Sequence, residues 1–105
     1  MNDKQCLLTD EEVASFITYG YRIVEVDFPK GFNDSIYNEL EVELASSNPG
    51  DAILERVPKL NEVLVHPKVQ GVIVSLLGND FLMNDHRHCH KNAPGTRSQY
   101  WHQDG

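Results

Sequence analysis

The residues best suited to chemistry are a histidine and an acid near the end of the sequence, His102 and Asp104. One residue separates them, and side chains alternate between faces in an extended segment, so we expect the imidazole and the carboxylate on the same side. These are two of the three ligands in the two-histidine, one-carboxylate site that holds non-haem Fe(II). The alternative for the pair alone is a surface histidine and a turn aspartate before Gly105.

Three further histidines, His86, His88 and His90, would share one face of a strand, with Arg87 and Cys89 on the other. Three imidazoles on one face suggest a zinc or copper site. However, alternate residues of a strand lie about 6.5 Å apart, which spreads the rings widely for a single ion. We therefore favour a polar wall beside a pocket, while a structural role and an independent metal site stay open.

The composition limits the class of protein. A length of 105 residues suits one small domain, 1–105, with a modest core. The formal net charge of −7 argues against nucleic acid and anionic membrane as partners, because both require a basic surface. No apolar run approaches the roughly 20 residues of a membrane span, and the start lacks a signal peptide pattern, so a cytoplasmic location is predicted. Cys6 and Cys89 match no zinc spacing and are expected to be free structural thiols.

The elements that must position these residues begin with helices. Thr9 and Glu12 form the pattern of a capping box, and Gly20 suits a left-handed helix end. A second helix is predicted over 34–46, with Ile36, Tyr37, Leu40 and Leu44 towards the core and Glu39, Glu41 and Glu43 towards solvent. Short helical pieces follow at 53–57 and 60–64. Pro67 then suits the first position of a helix that Gly78 closes, although the β-branched residues of 69–77 make a buried strand the alternative.

Strands are predicted where the pattern changes to period two. The segment 21–28 alternates and stops at Pro29, and 81–90 and 99 onward read as two strands joined by a loop. His66, before Pro67, is expected at a helix edge and not as a metal ligand. Helices followed by strands predict an α+β fold in which a helical layer packs against a β-sandwich.

The run from His86 to Asp104 resembles the phytanoyl-CoA dioxygenase family, whose members are Fe(II)- and 2-oxoglutarate-dependent oxygenases. The pattern that carries the resemblance is a histidine-bearing segment, an Asn-x-Pro-Gly turn at 92–95 and Gln-x-Trp-His-x-Asp at 99–104. The stretch from Leu8 to Tyr21 looks like the opening helix and strand of that family.

For the fold, the resemblance implies N-terminal helices packed on the first strands of a double-stranded β-helix, a cupin-like jelly roll that is incomplete at the C-terminus. Residues 1–79 would be mainly helical with one early strand. Residues 80–105 would form strands that carry the metal motif.

For function, the resemblance implies a dioxygenase that hydroxylates a small organic molecule. His102 and Asp104 would hold Fe(II), and 2-oxoglutarate would be the co-substrate, with ascorbate as an accessory cofactor. Gln99 and Gln103 would contact 2-oxoglutarate, as would His88 on the pocket wall. The presence of Asp104 favours hydroxylation, because halogenating relatives lack the carboxylate.

The second metal histidine and the arginine that binds 2-oxoglutarate lie well downstream of this motif in the family. We therefore expect the sequence to be the N-terminal part of a longer enzyme, inactive as given. Two alternatives remain: a cupin-like metal-binding protein that uses His86, His88 and His90, and a non-catalytic interaction domain. Neither the substrate nor the oligomeric state is readable from the sequence.

Overall fold

The computed structural model describes residues 6–87 and 89–103, and the architecture of those residues is helical. The α-helices are α1 (Asp10–Tyr19), α2 (Phe32–Leu44), α3 (Ile53–Arg56), α4 (Lys59–Val65) and α5 (Pro67–Leu77), and a 3₁₀ turn (Gly50–Ala52) precedes α3. None of these helices has the length and apolar character required to cross a lipid bilayer.

The predicted α+β jelly roll is wrong, because residues 6–87 and 89–103 contain no strand. The segments expected as strands at 21–28, 81–90 and 99–104 are irregular wherever they are described. Period-two patterning selects which side chains turn inward, but a strand also needs a neighbouring backbone to complete its hydrogen bonds.

In the segment between α1 and α2, side chains alternate between a buried and an exposed face although the backbone is not paired with a neighbouring strand. Val24, Val26 and Phe28 are partly buried, whereas Glu25 and Asp27 between them are exposed. The predicted alternation of faces is therefore present over 24–28 without a β-ladder, whereas Tyr21, Arg22 and Ile23 are all exposed.

The start and end of α1 follow the predicted local signals. Thr9 Oγ1 accepts a hydrogen bond from the backbone N–H of Glu12 at 3.2 Å, and the Glu12 carboxylate accepts one from the Thr9 N–H at 2.9 Å. Gly20 ends the helix with φ of 81°, and its N–H donates to the Phe16 carbonyl. The predicted capping box and left-handed end are confirmed.

The α2 helix is displaced by two residues from the predicted range. It begins at Phe32, after Gly31 turns the chain with φ of 85°, and it ends at Leu44. Ile36 and Leu40 are partly buried as expected, but Tyr37 is exposed, so its assignment to the core is wrong.

Residues Pro67–Leu77 form the predicted helix, α5, and not the alternative buried strand. Pro67 occupies its first turn, and Gly78 ends it. The N-terminal segment crosses this helix closely: the Leu8 N–H donates to Ser75 Oγ at 2.9 Å. A Cβ on the buried Gly71 would clash with the backbone carbonyl of Cys6. The absence of a side chain at Gly71 permits this approach.

The hydrophobic core is small, and its residues lie at the start of α2, at the start of α3 and directly after α3. Phe32, Ile53 and Val57 are its buried apolar side chains in the described ranges. The radius of gyration is 16.2 Å, against about 13 Å for a compact chain of this length. The helices therefore pack loosely and leave large apolar side chains such as Ile17 and Leu82 in solvent.

Candidate functional site

The segment that carries the predicted metal motif is exposed and lies outside the helices. Residues 90–103 are solvent-exposed throughout, and the only turn among them is at Pro94 and Gly95. Gly95 adopts φ of 84°, which suits the predicted loop between 92 and 98. Tyr100 and Trp101 are fully exposed.

His102 is held by its own segment. Its Nδ1 lies 3.1 Å from the backbone carbonyl oxygen of Tyr100. A carbonyl oxygen only accepts hydrogen bonds, so this contact is compatible with the neutral tautomer that has its proton on Nδ1 and its lone pair on Nε2. This is the tautomer in which a histidine binds a metal through Nε2.

Of the other predicted site residues, Gln99 and Gln103 lie in the described part of the chain. Gln99 and Gln103 are exposed on the same irregular segment. Asp104 and His88 lie outside the described residues. Within 6–87 and 89–103, no three histidine, cysteine, aspartate or glutamate side chains form a group that could hold a metal ion.

Three contacts attach residues 87–91, which lead into this segment, to α2 and to residues 48–51 that follow it. The side-chain amide of Asn48 donates to the Cys89 carbonyl at 2.8 Å. The Lys91 ammonium lies 2.8 Å from the Glu41 carboxylate of α2, and the Arg87 N–H donates to Asp51 at 3.2 Å. Hydrogen bonding to Glu41, together with its charge, raises the pKa of Lys91. Glu41 was expected only to face solvent.

The structure also contains a cleft that the sequence did not predict. It has a volume of about 620 Å³ and lies between the segment 28–32 and the α4–α5 corner. Its lining includes Phe28, Lys30, Phe32, Lys59, Glu62 and His66. A cleft of this size falls within the range of small-molecule sites.

Aromatic contacts shape one side of the cleft. The Phe28 and Phe32 rings are stacked with centroids 4.1 Å apart and planes 8° from parallel. The His66 ring meets Phe28 edge-on at 5.1 Å. Phe32 is buried and Phe28 is partly exposed, so Phe28 offers the more accessible aromatic surface.

His66 is a helix-capping residue, as its position at a helix edge predicted. Its Nδ1 accepts the Lys68 N–H at 3.1 Å, and its Nε2 lies 3.7 Å from the Asp27 carboxylate. The Lys68 ammonium lies 3.1 Å from the same carboxylate. Hydrogen bonding from Lys68, reinforced by its charge, lowers the pKa of Asp27.

Two lysines give the cleft its charge. Lys59 lies 5.7 Å from the Phe32 ring centroid, and its Nζ donates to Ser35 Oγ at 2.7 Å. Lys30 is exposed beside Gly31, where α2 begins without a side-chain cap. In the described ranges neither lysine has a carboxylate within 4 Å. A sequence signal was present in the Phe-Pro-Lys-Gly-Phe run at 28–32, but its partners on α4 lie about thirty residues away.

No family model, curated protein sequence or solved structure matches this chain.

Proposed function

We propose that this chain contributes His102 and Asp104 to the Fe(II) site of a 2-oxoglutarate-dependent oxygenase that hydroxylates a small organic molecule. The observation that carries the proposal is the contact between His102 Nδ1 and the Tyr100 carbonyl. This contact is compatible with the tautomer in which Nε2 is the metal-binding nitrogen, and His102 stands within a Gln-x-Trp-His-x-Asp run.

The donor set suits Fe(II) in kind. An imidazole nitrogen and a carboxylate oxygen are the ligand types of the non-haem iron site, and neither Cys6 nor Cys89 lies in the motif. The described residues hold no three-donor group, so the proposal rests on the pair and its tautomer.

The roles of the protein residues follow from their chemistry. His102 would bind through Nε2, and Asp104 would supply negative charge and an oxygen ligand. The exposed amides of Gln99 and Gln103 offer N–H donors that suit a carboxylate of 2-oxoglutarate. When bound, Fe(II) would supply activation of O2, with one oxygen atom going to the substrate C–H bond and the other to 2-oxoglutarate, which becomes succinate and CO2; the protein residues would bind and orient the reactants.

Metal titration tests the proposal directly. Anaerobic addition of Fe(II), or of Co(II) as a paramagnetic substitute, should broaden the NMR signals of His102 and its neighbours first. His102→Ala and Asp104→Ala should each weaken binding by about tenfold or more. His90→Ala and the exposed Asp80→Ala are matched controls that remove the same side chains elsewhere.

Succinate release from 2-oxoglutarate, in the presence of Fe(II) and ascorbate, is the second measurement. Any turnover that depends on added iron should fall to background in the His102 and Asp104 variants but not in the two controls. Metal affinity that is unchanged in both site variants would contradict the proposal.

A non-catalytic interaction domain is the second candidate function. The observation that favours it is the exposure of Leu82, Tyr100 and Trp101, at 93%, 92% and 103%. Adjacent large exposed apolar side chains, such as Tyr100 and Trp101, are typical of surfaces that bind another protein. Under this alternative, Trp101→Ala would weaken partner binding, whereas His102→Ala would leave both metal affinity and binding unchanged.

A further inference from the structure

The cleft between 28–32 and the α4–α5 corner has features of a ligand site that the proposed iron chemistry does not use. It combines an aromatic wall with two cations that lack carboxylate partners in the described ranges. His102 does not line it. Its function must therefore be argued from its own residues.

We propose that this cleft binds a small aromatic carboxylate. The Phe28 ring is stacked on Phe32 with planes 8° from parallel, and it remains partly exposed. A planar ligand ring can extend such a stack, because aromatic rings prefer offset-parallel or edge-on contacts. The His66 ring contacts Phe28 edge-on, with centroids 5.1 Å apart, and forms the next part of the cleft lining.

The charges of the lining select an anion. Lys30 and Lys59 contribute two positive charges, and Glu62 contributes one negative charge. The carboxylate that faces His66, Asp27, lies 3.1 Å from the Lys68 ammonium, which balances its charge. The start of α2 at Gly31 and Phe32 also lines the cleft and adds the positive end of a helix dipole.

Lys59 is positioned to bind the carboxylate. Its side chain is held by the hydrogen bond to Ser35 and lies 5.7 Å from the Phe32 centroid. This leaves ammonium hydrogens for a ligand, since an ammonium has three donors and Ser35 takes one. A ligand whose ring packs near Phe28 and whose carboxylate reaches Lys59 satisfies both features of the cleft.

Glu62 opposes such a ligand and supplies a sharp test. It lies on α4 three residues after Lys59, so its carboxylate is on the same side of the helix. Removal of that charge in Glu62→Gln should tighten anion binding, whereas Lys59→Gln should weaken it. Glutamine at 59 removes the charge and keeps an N–H donor, one bond nearer the backbone than the lysine ammonium.

The experiment is an NMR titration of the 105-residue chain with benzoate, benzamide and succinate. Benzoate should shift the signals of Phe28, Phe32 and His66 with a dissociation constant of roughly millimolar, as expected for a fragment of this size. Benzamide, which has the ring without the charge, and succinate, which has the charge without the ring, should both bind more weakly.

Two lysine variants then show whether benzoate binds in the cleft or elsewhere on the surface. Lys59→Gln should raise the dissociation constant of benzoate by about two- to fivefold, the range for a partly exposed ion pair. Lys91→Gln, which removes a distant lysine paired with Glu41, should leave it unchanged. Equal affinity for benzoate and benzamide, or shifts centred on Tyr100 and Trp101 instead of Phe28, would overturn the proposal without bearing on metal binding at His102.

Discussion

The Asp27 carboxylate lies 3.1 Å from the Lys68 ammonium, and this contact joins the extended segment before α2 to the first turn of α5. His66, which caps α5, approaches the same carboxylate at 3.7 Å. Because Phe28 follows Asp27 and stacks on Phe32, the ion pair also orients the aromatic wall of the cleft.

Stability should depend on pH through Asp27. Lys68 lowers the pKa of Asp27 in the folded chain below 3.8, its value in the unfolded chain. The contribution of Asp27 to the free energy of unfolding is therefore present above pH 3.8 and is lost as the pH falls through the lowered pKa. We expect Asp27→Asn to be less stable than wild type at neutral pH, and the difference to shrink in acid. Urea unfolding of both chains between neutral and strongly acidic pH measures this. A difference that persists unchanged in strong acid would show that the charge of Asp27 is not responsible.

Gly71→Ala should destabilise the fold although alanine is the better helix former. The helix preference favours alanine by about 1 kcal/mol, but the added Cβ meets the backbone carbonyl of Cys6, which cannot rotate away as a side chain can. Overpacking of this kind costs about 1–3 kcal/mol. We therefore expect a lower urea midpoint. A higher midpoint would show that the segment at Cys6 moves away from α5 at little cost.

Local signals were predictable from the sequence, and long-range ones were not. The capping box of Thr9 and Glu12 and the start of α5 at Pro67 involve residues within one helical turn, so their outcome depends little on the rest of the chain. The strands at 21–28 and 81–90 required a partner backbone, which the alternation of Val24 and Val26 cannot specify.

The candidate sites follow the same division. His102 and Gln99 could be named as candidate site residues because their motif is continuous in sequence, and their roles stay predictions. The cleft was missed because it forms only when Phe28 and Phe32 meet His66 and Lys59, which requires the packing of α2 against the α4–α5 corner.

The histidines at 86, 88 and 90 should not be required for metal binding at His102. His86 and His90 are exposed and belong to no three-donor group in the described ranges. We expect the triple alanine variant to retain Co(II) affinity within about twofold, well short of the loss expected from removing a direct ligand. Isothermal titration with Co(II), compared with Asp104→Ala, measures this. A loss as large as that of Asp104→Ala would favour the independent histidine site.

The segment after Arg87 should be protected from trypsin by Glu41. The Glu41 carboxylate and the Lys91 ammonium are 2.8 Å apart, and the Cys89 carbonyl two residues before Lys91 accepts a hydrogen bond from Asn48. Glu41→Gln removes the ion pair but keeps the cleavage site at Lys91, so faster cleavage there reports a freer backbone. Glu39→Gln, an exposed residue of the same helix, is the matched control and should cleave at the wild-type rate. The Glu41 effect should also fade at about 1 M salt, where the screening length is about 3 Å. Equal cleavage rates in the wild type and both variants at low salt would show that the ion pair does not restrain this segment.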